Sequence, residues 1–347
     1  MMVDGRGATR LDRRMRVALF DAHRFDREAF QRANVDGAHA VTFVEPRLTH
    51  ATAPLAAGFP AVCVFVNDRL DDAALAILAA GGVRLIALRC AGVNQVDLAA
   101  AARLGLRVVR VPAYSPHAVA EHAVALLLTL VRKLHRAHAR VREGNFSLEG
   151  LVGFDLHGKT VGLIGLGQIG AVAARIFRGF GCRVLVTELA PDAALVAELG
   201  LEVVPLAALF GQSDVVSLHV PLTPATRHLI DASALAQCKP GVIIVNTGRG
   251  ALIDSRALID GLKDGRLGGA ALDVYEEEAG VFFEDLSDQV LQDDVLARLL
   301  TFSNVVITSH QGFLTREALD AIARTTLDSL TAFERDLPLV HEVHANA

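Results

Sequence analysis

Three stretches put reactive side chains just past apolar runs: Arg249 in "VNTGRGALID", Asp273 and a glutamate triplet in "ALDVYEEE", and His310 in "ITSHQGF". One arginine, one carboxylate and one histidine suffice for hydride transfer to a 2-keto acid. The guanidinium fork grips the substrate carboxylate. A protonated histidine gives its proton to the carbonyl oxygen as hydride arrives, and a carboxylate paired with the imidazole favours the protonated ring. Asp273, Glu276, Glu277 and Glu278 all remain open to that pairing at this level, since glutamate runs are most often solvated surface. One histidine among 13 is more often surface or core than catalytic, so on the residues alone His310 is only a candidate.

Hydride needs a carrier, and "TVGLIGLGQIGAVAARIF" offers a place for one. Gly165, Gly167 and Gly170 form G-x-G-x-x-G around Gln168 and Ile169, directly after an apolar strand and at the start of a helix. The glycines serve a tight turn, close approach of backbone to a pyrophosphate, and close helix–strand contact. Alone, the pattern could mark a turn that merely needs positive φ. The next strand, "CRVLVTE", ends in Glu188, 18 residues beyond Gly170, where an acidic side chain can hold the adenosine ribose hydroxyls. That carboxylate would repel a 2′-phosphate and no arginine follows it in "TELAPD", so NAD, as NADH rather than NADPH, is the expected cofactor. The loop lacks GK[ST], which speaks against ATP. No His/Cys/Asp cluster has metal-ligand spacing, and no metal is expected.

Side chains from separate segments converge when they follow parallel strands, because ligands of open α/β sheets bind beyond the carboxyl ends. The chain supplies such strands. "RVALF", "AVCVFV", "RLIAL" and "LRVVRV" alternate with alanine-rich helical segments. A second series follows: "TVGLIG", "RVLVTE", "EVVPL", "DVVSLHV", "GVIIVN", "GAALDVY" and "NVVITSH". Between the series, Ser115-Pro116 opens a helix whose periodicity continues to about Gly144. A last amphipathic helix begins near Thr315 with no strand left to join, and is expected to pack on the first domain. The expected fold is α/β with two parallel-sheet domains, Rossmann-like or flavodoxin-like. The boundaries read as a flexible extension over 1–14, a discontinuous substrate domain over 15–115 plus 311–347, and an NAD-binding domain over 116–310.

Composition narrows the class. At 347 residues the chain exceeds the size at which single cores split, about 250 to 300 residues, so two domains are expected. A net charge of −5 without a dense basic cluster argues against a nucleic-acid partner. The longest apolar run, "AVALLLTLV", falls far short of the roughly 20 residues of a membrane span. Four scattered cysteines without a C-x-x-C pair, and no visible secretory leader, point to free thiols in a cytoplasmic setting.

From about Met15 to Leu337 the sequence resembles the D-isomer-specific 2-hydroxyacid dehydrogenases. "GLGQIG", "HVPLTPATRHLI", "VNTGRGALID", "ALDVYE" and "SHQGFLT" occur in that family's order and spacing. "RCAGVNQVDL", "VPAYSPHAVAEH", "NFSLEGLVGF" and "VFFEDLSDQVLQDDVLARLL" are similar to its fermentative D-lactate dehydrogenase branch. The resemblance implies an active site in the cleft between the two domains and reduction of pyruvate to D-lactate. It implies that Arg249 binds substrate, that His310 is the acid/base, and that Glu278, five residues after Asp273, is its partner. Glu276 and Glu277 are then bystanders, and His117, His122, His157 and His219 are not general acids. Asp273 is implied at the nicotinamide side of the cofactor site, with Val220, Pro221, Thr247 and Gly248 also lining the cofactor. Backbone N–H groups of Ala91, Gly92 and Val93 would meet the substrate carboxylate. Tyr114 either contacts substrate or packs at a hinge, and Phe313 either walls the substrate's methyl group or packs there. A homodimer or homotetramer is implied, with the Ala118–Leu134 helix as a participant. The rival expectations are a larger 2-keto acid, branched-chain or phenylpyruvate, and an NAD(H)-sensing binding protein of the same fold. A 3-phosphoglycerate substrate is disfavoured, as no basic phosphate clamp stands out.

Overall fold

The computed structural model describes residues 14–345. The extension expected over residues 1–14 therefore lies outside them, Arg14 excepted. Five short strands of the first unit pair in parallel: β1 (Met15–Leu19), β2 (His39–Phe43), β3 (Ala61–Val64), β4 (Leu85–Leu88) and β5 (Arg107–Val109), in the order β2-β1-β3-β4-β5. β3 and β4 are buried along their whole length, which is why they read as unbroken apolar runs. β2 lies at the sheet edge and alternates between covered and exposed positions. Its half-exposed residues give no apolar run in the sequence, so the strand is not expected from it. Ala323, Leu327 and Leu330 of the helix Arg316–Glu334 share one core with Val17, Leu19, Cys63 and Ala87 of this sheet. The first unit accordingly ends at Ser115 and resumes at Leu314.

The second unit, Pro116–Phe313, holds a seven-stranded sheet that is also wholly parallel. Its strands are β6 (Thr160–Ile164), β7 (Arg183–Thr187), β8 (Glu202–Val203), β9 (Val215–Leu218), β10 (Val242–Asn246), β11 (Leu267–Leu272) and β12 (Val305–Ile307). They run β12-β11-β10-β9-β6-β7-β8. Strand order reverses between β6 and β9, so the carboxyl end of β6 opens on the crevice where such sheets take ligands. One face is covered by Ala123 and Leu127 of the helix Pro116–Val131 and by Val172, Ala173 and Phe177 of the helix Gln168–Gly179. The other face is covered by Leu209, Leu235, Leu258 and Leu299. β8 covers only the start of the expected "EVVPL", since both its residues are exposed and Pro205 has no N–H to donate.

Two expectations change. The helix expected to run to Gly144 stops at Val131, Lys133 turns left-handed at φ +52°, and a second helix, Leu134–Arg142, follows. Gly153 crosses at the break, so close that a Cβ there would lie 2.1 Å from the Val131 carbonyl oxygen. The apolar side of the first helix, Val119, Ala120, Ala123, Leu126, Leu127 and Leu130, is buried. The second unit also runs past residue 310 to Phe313, because the N–H groups of Gln311 and Gly312 donate to Asp273 at 2.9 and 2.7 Å. Among the described residues no helix is long and apolar enough to cross a membrane.

Candidate active site

The glycine loop leaves β6 with a shape only glycine permits. Gly165 has φ +98°, and a Cβ on it would sit 2.6 Å from the His219 carbonyl oxygen. A Cβ on Gly170 would sit 2.3 Å from the Gly165 oxygen, so helix and strand can close up only without one. Gly167 instead faces open space and is the N-cap of the helix Gln168–Gly179, with no side chain capping it. The first-turn N–H groups of that helix and its positive dipole end are therefore available to an anion such as a pyrophosphate. Gln168 is exposed, and Ile169 packs against the core beneath.

Glu188 follows β7, and its two carboxylate oxygens accept the N–H groups of Leu166 and Leu189 at 2.7 and 2.8 Å. The Leu166 bond chiefly holds its pKa below the usual carboxylate value, against some desolvation. An ionised acid beside the glycine loop fits a ribose diol. Thr247 Oγ1, just after β10, is buried without a hydrogen-bond partner, an acceptor and donor left for a bound group. Val220 is partly covered and Pro221 exposed, both just beyond β9. His219 turns inward: its Nε2 lies 2.9 Å from Ser217 Oγ, and burial pushes the imidazole down to about 4. These residues fit a dinucleotide.

His310 Nδ1 lies 2.9 Å from Glu278 Oε2, and Glu278 Oε1 accepts the Tyr275 N–H at 3.1 Å. Their side chains are 14% and 15% exposed, shielded enough for the pair to matter and open enough to meet a ligand. His310 takes φ +52°, and its N–H donates to the Asp273 carbonyl at 2.6 Å. The Phe283 ring stands 6.2 Å from the imidazole, centroid to centroid. Glu277 is exposed.

Asp273, expected at the nicotinamide side of the cofactor site, is held by its neighbours. Its side chain is 1% exposed, and its oxygens accept Thr308 Oγ1, Gln311 N–H and Gly312 N–H, with His122 Nε2 at 3.1 Å. Burial alone would raise its pKa, but the bonds from His122 and Thr308 outweigh it and the shift is downward. Asp273 thus braces the loop that carries His310. His122 and Thr308 were missed for this role, and nothing in their sequence neighbourhoods signals it.

Arg249 stands partly exposed after β10. Asn246, fully buried at the end of that strand, shapes its loop: Nδ2 donates to the Arg249 carbonyl at 2.9 Å and Oδ1 accepts the Gly248 N–H at 3.0 Å. A polar residue closing an apolar strand was the available signal for Asn246. Gly250 lies flat on the Tyr275–Glu276 peptide, where a Cβ would fall 1.9 Å from the Tyr275 oxygen. The Arg249 loop and the Glu278 turn therefore share a backbone contact.

The remaining candidates follow the first sheet or end the second unit. Ala91, Gly92 and Val93 follow β4, partly exposed, with Arg110 donating to the Ala91 carbonyl at 3.1 Å. Arg89, just before them, is 1% exposed and bound to Asp26 and to the Asp21 carbonyl, which anchors that loop's start. Tyr114 is partly exposed, whereas Phe313 is 7% exposed.

A parallel sheet with a glycine turn at its switch point, an acid after the next strand and a His–Glu pair past other strands define a dinucleotide-binding oxidoreductase architecture. Residues 124–312 match the family described as D-isomer specific 2-hydroxyacid dehydrogenase, NAD binding domain. The chain is 51% identical over 321 residues to the D-lactate dehydrogenase of Escherichia coli, covering 92% of this chain and 97% of that one. Among solved structures it is similar to the pyruvate reductase of Chlamydomonas reinhardtii, with TM-score 0.89 and 43% identity over 94% of this chain and 98% of that one. It is also similar to a D-2-hydroxyisocaproate dehydrogenase, with TM-score 0.82 and 30% identity over 95% and 99%. The chain belongs to the D-isomer-specific 2-hydroxyacid dehydrogenase family and carries its NAD-binding domain.

Proposed function

We propose that this protein reduces pyruvate to D-lactate reversibly with NADH. The carrying observation is the 2.9 Å contact of His310 Nδ1 with Glu278, which supports Nε2 as the ring nitrogen that acts on substrate. Arg249 grips the carboxylate and draws electron density from the carbonyl. The nicotinamide, when bound, supplies the hydride to C2. His310 gives its Nε2 proton to the carbonyl oxygen, and Glu278 balances the charge of the protonated ring. Asp273 holds the His310 loop in register. Ala91, Gly92 and Val93 are assigned to the same carboxylate on the family's pattern, and Tyr114 to the substrate. The ionised Glu188 favours NADH over NADPH by repelling a 2′-phosphate.

A larger 2-keto acid is the second reading, supported by the likeness to the D-2-hydroxyisocaproate enzyme. An NADH-oxidation assay over a panel of 2-keto acids, with chiral analysis of product, separates the two. No pyruvate turnover, or an L-product, would sink the lactate reading.

We further infer a homo-oligomer. Leu134, Val141, Phe146, Leu148 and Val152, in and after the Leu134–Arg142 helix, are 51–84% exposed, and that helix buries no residue. A second copy of the chain is the expected cover, and light scattering would report it. The buried thiols of Cys63, Cys90, Cys182 and Cys238, none in a disulfide, suit a reducing cytoplasm.

A further inference from the structure

Glu276, which the sequence reading set aside as a bystander, has three side-chain partners. Its Oε1 lies 2.6 Å from His228 Nε2 and accepts Arg227 Nη2 at 3.2 Å, while Oε2 accepts the Ser255 hydroxyl at 3.2 Å. The side chain is only 15% exposed. His228 takes φ +52°, a conformation that residues with a Cβ seldom adopt. In that conformation its N–H donates to the carbonyl of Ala251 at 2.8 Å, two residues beyond Arg249. Ser255 opens the helix Ser255–Lys263 that follows the Arg249 loop. On the other side, Gly250 admits the Tyr275–Glu276 peptide against that same loop. Three segments thus meet at one carboxylate: the loop through His228, the loop of Arg249, and the turn that leads to Glu278.

We propose that Glu276, through His228 and Ser255, is a positioning residue that fixes the Arg249 loop against the Glu278 turn. It thereby sets the substrate carboxylate relative to His310. This rests on the roles assigned above to Arg249, Glu278 and His310. A carboxylate can accept from all three donors at once, whereas an amide replaces one acceptor oxygen with a donor and leaves a donor unmatched. The loop then shifts, and misplacement well under 1 Å is enough to weaken a two-point grip.

The test compares Glu276→Gln, Ser255→Ala and Arg249→Ala by steady-state kinetics with pyruvate, NADH titration and thermal unfolding. Glu276→Gln is expected to raise KM for pyruvate about tenfold, with NADH affinity kept within about twofold and little change in Tm. Ser255→Ala, which removes a single bond and keeps the fold, moves KM the same way by about threefold. In an Arg249→Ala background Glu276→Gln adds nothing further, since no grip remains to be misplaced. Should both single variants leave KM within about twofold while Arg249→Ala raises it, the positioning role is overturned and the site assignment stands. A KM effect that persists undiminished in the Arg249→Ala background overturns it as well. Unchanged pyruvate turnover in Arg249→Ala alone overturns the underlying site assignment instead.

Discussion

Glu188 accepts the backbone N–H of Leu166, the residue between the first two glycines of the loop, at 2.7 Å. The acid after β7 is thus tied to the turn it would serve, with a fixed bearing on any ribose above the loop. Glu188→Ala is expected to weaken NADH binding by about tenfold or more, the worth of charged hydrogen bonds, and to narrow the preference over NADPH. Fluorescence titration with both nucleotides checks this. An unchanged NADH/NADPH ratio would remove Glu188 from cofactor selection.

Adjacent glutamates should separate cleanly. Glu278→Gln is expected to lower kcat for pyruvate reduction by about a hundredfold or more, because the His310 pair loses its charge. Glu277→Gln, at an exposed position, should stay within about twofold of wild type. Equal effects would mean that the His310–Glu278 contact carries no chemistry.

Arg249→Ala is expected to reduce kcat/KM for pyruvate by about a thousandfold while NADH binding survives, since the guanidinium would act on the substrate rather than on the nucleotide. Arg249→Lys should recover only part of the loss, as an ammonium cannot form the planar fork. Full activity in Arg249→Lys would argue against two-point recognition of the carboxylate.

Stability should fall on mild acidification through His219. Its imidazole is held down to about 4 by burial, while the unfolded chain binds a proton near the ordinary value of about 6.5. Above that value neither state is protonated and nothing is lost. Between about 6.5 and 4 the unfolded state alone takes up the proton, so stability declines by up to about 3 kcal/mol, less whatever solvent access to the ring restores. Chemical denaturation from pH 7.5 to 4.5 would show the decline, and His219→Gln should flatten it. Asp273 acts at lower pH in the same direction: its depressed pKa lends stability that disappears only as pH falls below the ordinary carboxylate range.

Much of this architecture was legible because it is local. Apolar runs such as "AVCV" and "VIIVN" become strands buried on both faces, and G-x-G-x-x-G between a strand and a helix carries its turn in its own residues. Long-range side-chain geometry was not legible. Nothing near Asp273 says that its carboxylate turns inward onto His122, from a helix far earlier in the chain, and onto the N–H groups after His310. Pairing the third glutamate with His310 needed the family resemblance, since three adjacent carboxylates look alike in composition. The helix break at Lys133 escaped because the residue that packs against it, Gly153, lies 20 residues on, where no periodicity reports it.

The helix Arg316–Glu334 closes the core of a sheet whose last strand is complete at Val109. During synthesis the five strands of the first unit emerge long before Ala323, Leu327 and Leu330 exist to cover them. The second unit, contiguous from Pro116 to Phe313, has every residue of its own core available earlier. Vectorial folding is therefore out of step with chain order: the inserted unit can mature first, and the first sheet must wait for nearly the whole translation time with one apolar face covered only in part, by Ala29 and Phe30 of the helix Arg24–Ala33.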